Sequence, residues 1–470
     1  MTSGATVVDA VDRYIQEHLA ESVEDLKRLA RIPSVSAKGG AAMEDAAKFV
    51  AGLLSGAGFG ARLLPTDGGF PVVYADTGEG DTGASPRAGR TLICYNHYDV
   101  QPEEPLELWQ SPPFEPTERE GRLYARGVSD DKGQLVSRIA AMHAVRAVTG
   151  GYPVRVKFLV EGEEEIGSIH LPAFVEAQRA LLAADACVWE SGGVNAAGAP
   201  TVQLGMRGIL AVELRVRTLA RDAHSGQAHN LPNAAWRLVR ALASLKDEHE
   251  RILIAGWYDD VRGPSEAERR LLEQMPADEA VARELYGVHE FVEGHTGLDY
   301  KAAVYSPTCN IAGIGAGWQG PGSKTVIPAV AMAKLDFRLV PEQDPLDLLT
   351  KLRRHLDAHG FADVEVANTE GGGERAATTP PDDPFVQLAA RTGEEVYGRP
   401  AVLVPLVGGS GPMWAFRAVL ETPIVTLGTA DPYTSVHAPN ESISLARFAQ
   451  GIQHMARLLL AYGAEAGSGA

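Results

Sequence analysis

TLICYNHYDVQP, residues 91–102, carries a short and nearly continuous apolar run straight into His97 and Asp99. A strand that is apolar on both faces belongs inside a sheet covered on both sides, which is the parallel or mixed sheet of an α/β protein. The same texture returns in VRVKFLV (154–160), DACVW (185–189) and PIVTLG (423–428), with helix-length segments between. VVYAD (72–76) reads as a further strand. Val8, Val11, Ile15, Leu19, Val23, Leu26 and Leu29 recur at three- and four-residue intervals, predicting one helix from Val7 to about Arg31 that Pro33 ends. Residues 44–58 repeat the helical pattern, another helix starts near Gln134, and the Gly-rich TGEGDTGASPRAG (77–89) is a surface connection.

The middle of the chain has a different texture. ILAVELRVRTL (209–219) and AVAMAKLDFRLVP (329–341) alternate apolar and polar residues, as strands with one exposed face do. After the Gly- and Pro-rich TEGGGERAATTPPDD (369–383) the chain resumes with a helical stretch at 384–397 and the core-type PIVTLG. The expected organisation is an α/β unit in two segments, 1–209 and 379–470, with an α+β unit, 210–378, inserted between them.

Composition excludes several classes of function. The 470 residues hold 43 basic and 61 acidic side chains, a formal charge of −18, and 45% are hydrophobic. That balance repels phosphate backbones and anionic lipid, so nucleic acid and membrane are not expected partners. Three widely spaced cysteines build neither a disulfide framework nor a Cys-based zinc site, which points to a reducing cytoplasm. No apolar run reaches the length of a spanning helix, and the N-terminal stretch has no signal-type apolar core.

The acids and imidazoles lie where α/β sheets bind ligands, beyond the carboxyl ends of strands. His97 offers a neutral imidazole, and Asp99, two residues on, projects to the same side of an extended chain and is placed to fix its tautomer. Asp130 and Asp131 stand together in a Gly-bracketed turn before a helix; capping accounts for one of them. Glu161, Glu163, Glu164 and Glu165 crowd behind a buried strand, where like charges repel unless a cation lies between them. Glu190 ends another core strand, and His437 follows PIVTLG in a Pro- and Ser-containing loop. Such nitrogen and oxygen donors suit zinc, manganese or cobalt, and a pair of ions better than one. No G-x-S-x-G elbow favours a serine hydrolase.

The ordered series HYDVQP, GVSDDKG, EGEEEIGS, WES, DAHSG, TVIPA, DFRLVP, GGSGP and VHAPNES resembles the M20 family of dinuclear metallopeptidases, in particular its carnosinase-like dipeptidases. The likeness runs over nearly the whole chain. It implies a zinc-peptidase-like catalytic domain, a mostly parallel mixed sheet flanked by helices, with an inserted lid and dimerisation domain, and hence a homodimer. It further implies that His97, Asp130 and Glu190 hold one metal ion and Asp130, Glu165 and His437 the other, with Asp130 bridging, Asp99 orienting His97, and Glu164 as general base and then acid. His224 would stabilise the oxyanion, often from the partner subunit. Arg338 would grip the substrate's terminal carboxylate, and Gly409 and Ser410 would contact it.

Charge agrees with that assignment: two divalent ions balance the carboxylates of Asp130, Glu164, Glu165 and Glu190. The expected reaction is hydrolysis of a dipeptide or short peptide with a free C-terminal carboxylate. Two departures keep related activities open. Glu190 stands where the dipeptidase branch usually has Asp, and GGSGP replaces the more usual GGSIP, so an N-acyl-amino-acid deacylase or carboxypeptidase is the alternative. A catalytically silent binding protein on the same fold is the remaining one.

Overall fold

Alternation along each strand decides how the first sheet is covered. In the computed structural model, which describes residues 4–78, 89–277, 279–368 and 373–467, Leu92 and Cys94 join one apolar cluster while Ile93 and Tyr95 join another. Val73 and Val72, Phe158 and Leu159, and Val188 and Cys187 divide in the same way. Successive side chains of a strand point to opposite faces, so a continuous apolar run feeds two cores at once. Most of the Gly-rich 77–89 stretch and residues 369–372 of the expected linker lie outside the described residues.

Six strands form this sheet, in the order Gly60–Leu64, Val72–Asp76, Arg155–Glu161, Thr91–His97, Ala186–Trp189 and Ile424–Thr426. The last four run parallel, and Val72–Asp76 is antiparallel to both neighbours. The register sets His97 opposite Glu161, so ligands at one strand end meet acids at the next. Helices Ala41–Gly56, Lys132–Thr149, Pro384–Tyr397 and Leu445–Gly467 cover one face. On the other, Trp189 stacks on Tyr95 with ring centroids 3.8 Å apart and Phe416 packs edge-on to both.

The expected single N-terminal helix is two, Gly4–Glu17 and Leu19–Ala30. His18 leaves helical geometry (φ −110°, ψ 11°), and its ring Nδ1 as well as its amide donates to the Tyr14 carbonyl. The apolar stripe stays in phase across the kink, which is why periodicity alone reads through it.

In a second sheet Thr308–Ala316, Val330–Leu339, Gly205–Arg217 and Glu365–Asn368 follow one another, each antiparallel to the next. Leu210, Val212, Leu214 and Val216 pack with Ala333, Leu335 and Phe337 beneath helices Ala234–Ala243 and Pro345–Ala358. Arg215 and Arg217 take the exposed face. The chain enters this sheet after Trp189 and returns to the first at Ile424, so the α+β unit is inserted in an α/β one. At the junction the long strand starts between Ala377–Thr378 and Val407–Ser410. Backbones there approach so closely that a Cβ at Gly205 or Gly208 would meet a carbonyl oxygen at 2.5 or 2.3 Å, leaving room for glycine alone.

Candidate metal centre

Three parallel strands end together, and Arg138 ties their ends. Buried on helix Lys132–Thr149, its guanidinium donates to the carbonyls of Tyr95, Trp189 and Leu427 and to Asn96 Oδ1. His97 is the last residue of its strand, Glu190 follows the next, and Glu164 and Glu165 open a single 3₁₀ turn after Arg155–Glu161. Asp130 sits in the turn before the helix. His437 comes from the loop after Ile424–Thr426, with a left-handed backbone (φ 63°) that is costly for a non-glycine residue and typical of functional sites.

These side chains meet although up to 340 residues separate them. His97 Nε2 lies 3.2 Å from Asp130 Oδ1, 3.8 Å from Glu190 Oε2 and 3.9 Å from Glu164 Oε2. His437 Nε2 lies 2.9 Å from Asp130 Oδ2 and 3.1 Å from Glu165 Oε2. Asp130 therefore presents one oxygen to each imidazole. Two donor groups have atoms within 4.8 Å of one another: Asp130, Glu165 and His437, and His97, Asp131 and Glu190. Asp131 enters the second group where Asp130 was expected, although one of its oxygens already accepts from Asn96 and from the His97 amide.

The surrounding hydrogen bonds hold this geometry. Asp99 lies 3.2 Å from His97 Nδ1, its backbone carbonyl lies 3.0 Å from the same nitrogen, and its carboxylate accepts from the amides of Glu164 and Glu165. One buried acid thus orients an imidazole and two carboxylate-bearing residues. Of the four crowded glutamates, only Glu164 and Glu165 face the centre. Glu161 accepts from Tyr95 and Ser168, and Glu163 pairs with His170.

Sequence reasoning overlooked two positioning residues. Gln101, in HYDVQP, donates from its amide and its side chain to the two carboxylate oxygens of Glu165, at 3.0 and 2.9 Å. Glu441, in VHAPNES and fully buried, accepts from Arg126 and from the amides of Gly127, Ser129 and Asp130. Both lie inside quoted motifs, but their partners, the Glu165 carboxylate for one and Arg126 with three backbone amides for the other, are far away in sequence, which no motif displays.

The electrostatics follow from packing acids and imidazoles out of water. Burial, then the neighbouring acids, pushes Glu164 well above the usual carboxylate range. Burial raises Glu190 likewise, with Asp131 and Asp130 adding to it. Hydrogen bonds to Asp130 and Glu165 push His437 up to about 10. Burial opposes charge on His97, but Asp130 and Asp99 outweigh it and raise its pKa. The two imidazoles hold Asp130 well below its ordinary value against the pull of burial. Glu190 Oε2 and Asp131 Oδ1 are buried without a hydrogen-bond partner among the described residues. Orphaned oxygens beside imidazole nitrogens fit divalent cations of borderline hardness, whose charge would replace the protons now shared.

The remaining expected residues fall in two places. Arg338, on the inserted sheet, donates to Ser410 Oγ at 2.8 Å, and Ser410 donates to the Gly208 carbonyl, which brings Arg338, Gly409 and Ser410 together at the junction. His224 is exposed on the inserted unit, accepting from the Gly226 amide and lying 3.4 Å from Thr325. Both of these contacts lie within that unit.

The model of peptidase family M20/M25/M40 matches residues 93–461. The cysteinylglycine-S-conjugate dipeptidase of Corynebacterium striatum is 30% identical, over 89% of this chain and 90% of its own length. The Beta-Ala-His dipeptidase of Homo sapiens is also 30% identical, over 75% of this chain and 71% of its own. Among solved structures, the M20 family metallo-carboxypeptidase Sso-CP2 from Sulfolobus solfataricus superposes with a TM-score of 0.88 at 35% identity, covering 94% of this chain and 99% of that one. Taken with two convergent sets of acids and imidazoles at the carboxyl ends of a mixed sheet, the match over most of the sequence makes this chain a metallopeptidase of family M20/M25/M40.

Proposed function

We propose that the protein is a dinuclear metallodipeptidase that hydrolyses dipeptides or short peptides bearing a free C-terminal carboxylate. The observation that carries this reading is the placement of Asp130, one oxygen facing His97 and the other facing His437, with Glu164 beside the first imidazole. His97, Asp130 and Glu190 would hold one ion and Asp130, Glu165 and His437 the other, zinc by preference, with manganese or cobalt as substitutes. Held there, two divalent ions would supply Lewis acidity for a water and for the scissile carbonyl.

This chain's residues do the rest. Glu164, its pKa raised by burial and neighbouring acids, takes a proton from water and delivers it to the leaving amide nitrogen. Asp99 fixes the His97 ring and the backbone of Glu164, so that base and ligand move together. Arg338, aimed by its hydrogen bond to Ser410, grips the terminal carboxylate in the turn that Gly409 and Ser410 form. Segments 1–209 and 379–470 make the catalytic unit and 210–378 the lid.

Homodimerisation through the inserted unit is part of the same reading. Its support is the strand Thr308–Ala316, which ends the second sheet and exposes Ile311 and Ile314, a free edge of the kind a second copy covers. Three buried, unpaired cysteines suit a cytoplasmic setting. The similarity to a metallo-carboxypeptidase and the presence of Glu190 together favour a second reading, an N-acyl-amino-acid deacylase or carboxypeptidase-type amidohydrolase.

The test is turnover of a panel of dipeptides, tripeptides and N-acetyl amino acids by chelator-treated protein resupplied with zinc, manganese or cobalt. Turnover of dipeptides is expected. Cleavage confined to the N-acetyl compounds would overturn the dipeptidase reading. Glu164→Gln is expected to keep the wild-type metal content and lose about 10²–10⁴-fold in kcat.

A further inference from the structure

We infer that Ser34, in the RIPSVS stretch (31–36) near the N-terminus, is a positioning residue for the hydrolysis: it grips both peptide groups that flank Asp99 and, through Asp99, sets the His97 ring and the turn of Glu164 and Glu165. The inference rests on the roles given above to His97, Asp99 and Glu164.

Sheet pairing does not reach Asp99. The ladder between Thr91–His97 and Arg155–Glu161 closes with His97 opposite Glu161, and one further bond runs from the Tyr98 amide to the Glu161 carbonyl. There the chain leaves the sheet, and two backbone groups beyond it find their partners in Ser34. The Ser34 hydroxyl donates to the Tyr98 carbonyl at 2.6 Å, and the Ser34 carbonyl accepts from the Val100 amide at 3.0 Å. These groups belong to the peptides on either side of Asp99, so one residue fixes the planes of both. The second peptide also carries the Asp99 carbonyl, 3.0 Å from His97 Nδ1.

Ser34 is itself held. Its amide and that of Val35 donate to the carbonyls of Ile32 and Pro33, and Val35 bridges to Val100. Lys132, fully buried and the second residue after Asp130, donates from Nζ to the carbonyls of Leu29 and Ile32. A segment with no metal-ligating role of its own therefore braces the loop of Asp99 on one side and the turn of Asp130 on the other. Ser34, Tyr98 and Asp99 are all closed to solvent, so removing the hydroxyl leaves a buried carbonyl without its donor, and the peptide moves to recover one. The Asp99 carboxylate moves with it. That carboxylate accepts from the amides of Glu164 and Glu165 and lies 3.2 Å from His97 Nδ1. A base or ligand displaced by about 1 Å loses much of its effect.

The experiment measures kcat and KM for the panel above with zinc-loaded protein, and zinc affinity by calorimetry on ion-free protein. It compares wild type, Ser34→Ala, Asp99→Ala and the double variant. Ser34→Ala is expected to lower kcat about tenfold with KM within about twofold, and to weaken zinc binding about tenfold. In the Asp99→Ala background the same substitution is expected to change either quantity by less than about threefold, because the group it acts through is already gone. A role in packing alone would lower the urea midpoint equally in both backgrounds and show no such coupling. Ser34→Cys, of nearly the same size but a weak donor, carries the same expectations where alanine does not fold. Wild-type kcat and zinc affinity in Ser34→Ala or Ser34→Cys, or an equal fold-loss in the two backgrounds, would overturn the inference. Failure of wild type to turn over any compound of the panel would instead strike the functional reading, and the zinc affinities in the two backgrounds would still decide the part played by Ser34.

Discussion

Asp130, His97, His437 and the glutamates around them share protons that a cation would displace. His437, raised to about 10 by Asp130 and Glu165, contributes stability below the ordinary histidine value, and the contribution is lost as pH climbs toward 10. The raised pKa values of Glu164 and Glu190 act in the same sense, because ionising these buried acids above the usual carboxylate range costs stability. Asp130, held low, acts oppositely, and its contribution disappears only in strong acid. The ion-free protein should thus weaken from neutral toward alkaline pH, where metal binding should strengthen. The apparent zinc affinity and the upward shift in Tm on zinc addition are both expected to grow between about pH 6 and about pH 8, with protons released into the buffer. Calorimetry in two buffers of different ionisation enthalpy measures the release; affinity that is flat across this range would contradict the shared-proton picture. His97, Asp130, Glu165 and Glu190 were legible as candidates because each ends or closely follows a recognisable strand or precedes a helix, and His437 because its loop follows PIVTLG. Gln101 and Glu441 were not, since what makes them matter is a neighbour brought in by folding.

At the scale of elements, the parallel strands were legible because local texture alone makes a run apolar on both faces. Their order was not, because pairing is a non-local choice that sequence texture does not encode. Helix Lys132–Thr149 illustrates the difference. Its existence follows from periodicity, but Arg138, which looks like an ordinary surface charge in sequence, is buried and joins the ends of three strands. Removing it strands several buried carbonyls at once. Arg138→Met is expected to cost at least about 3 kcal/mol in urea unfolding and to weaken metal retention, because His97 and Glu190 hang from the strand ends it gathers. A variant with an unchanged urea midpoint would show that other contacts hold those ends.

At the scale of the whole molecule, the position of His224 raises the question of where a site begins and ends. The residue was legible as part of a motif, but which chain's centre it serves was not, because that belongs to the arrangement of units rather than to any one of them. If a second copy supplies His224, two defective chains should rescue each other: His224→Ala keeps Glu164, and Glu164→Gln keeps His224. Mixing the two under conditions that exchange subunits is expected to restore turnover that neither has alone. Persistent inactivity after proven exchange would confine His224 to its own chain.

Glu441 and His437 have one more consequence, which concerns timing. The carboxylate that pins the turn of Asp130 and the second imidazole both arrive more than 300 residues after that turn is made. A nascent chain that already carries His97, Asp130 and Glu165 still lacks one of the three residues proposed to hold one ion and the brace of the Asp130 turn. On the proposed reading, hydrolysis would therefore wait until residues 437–441 have left the ribosome.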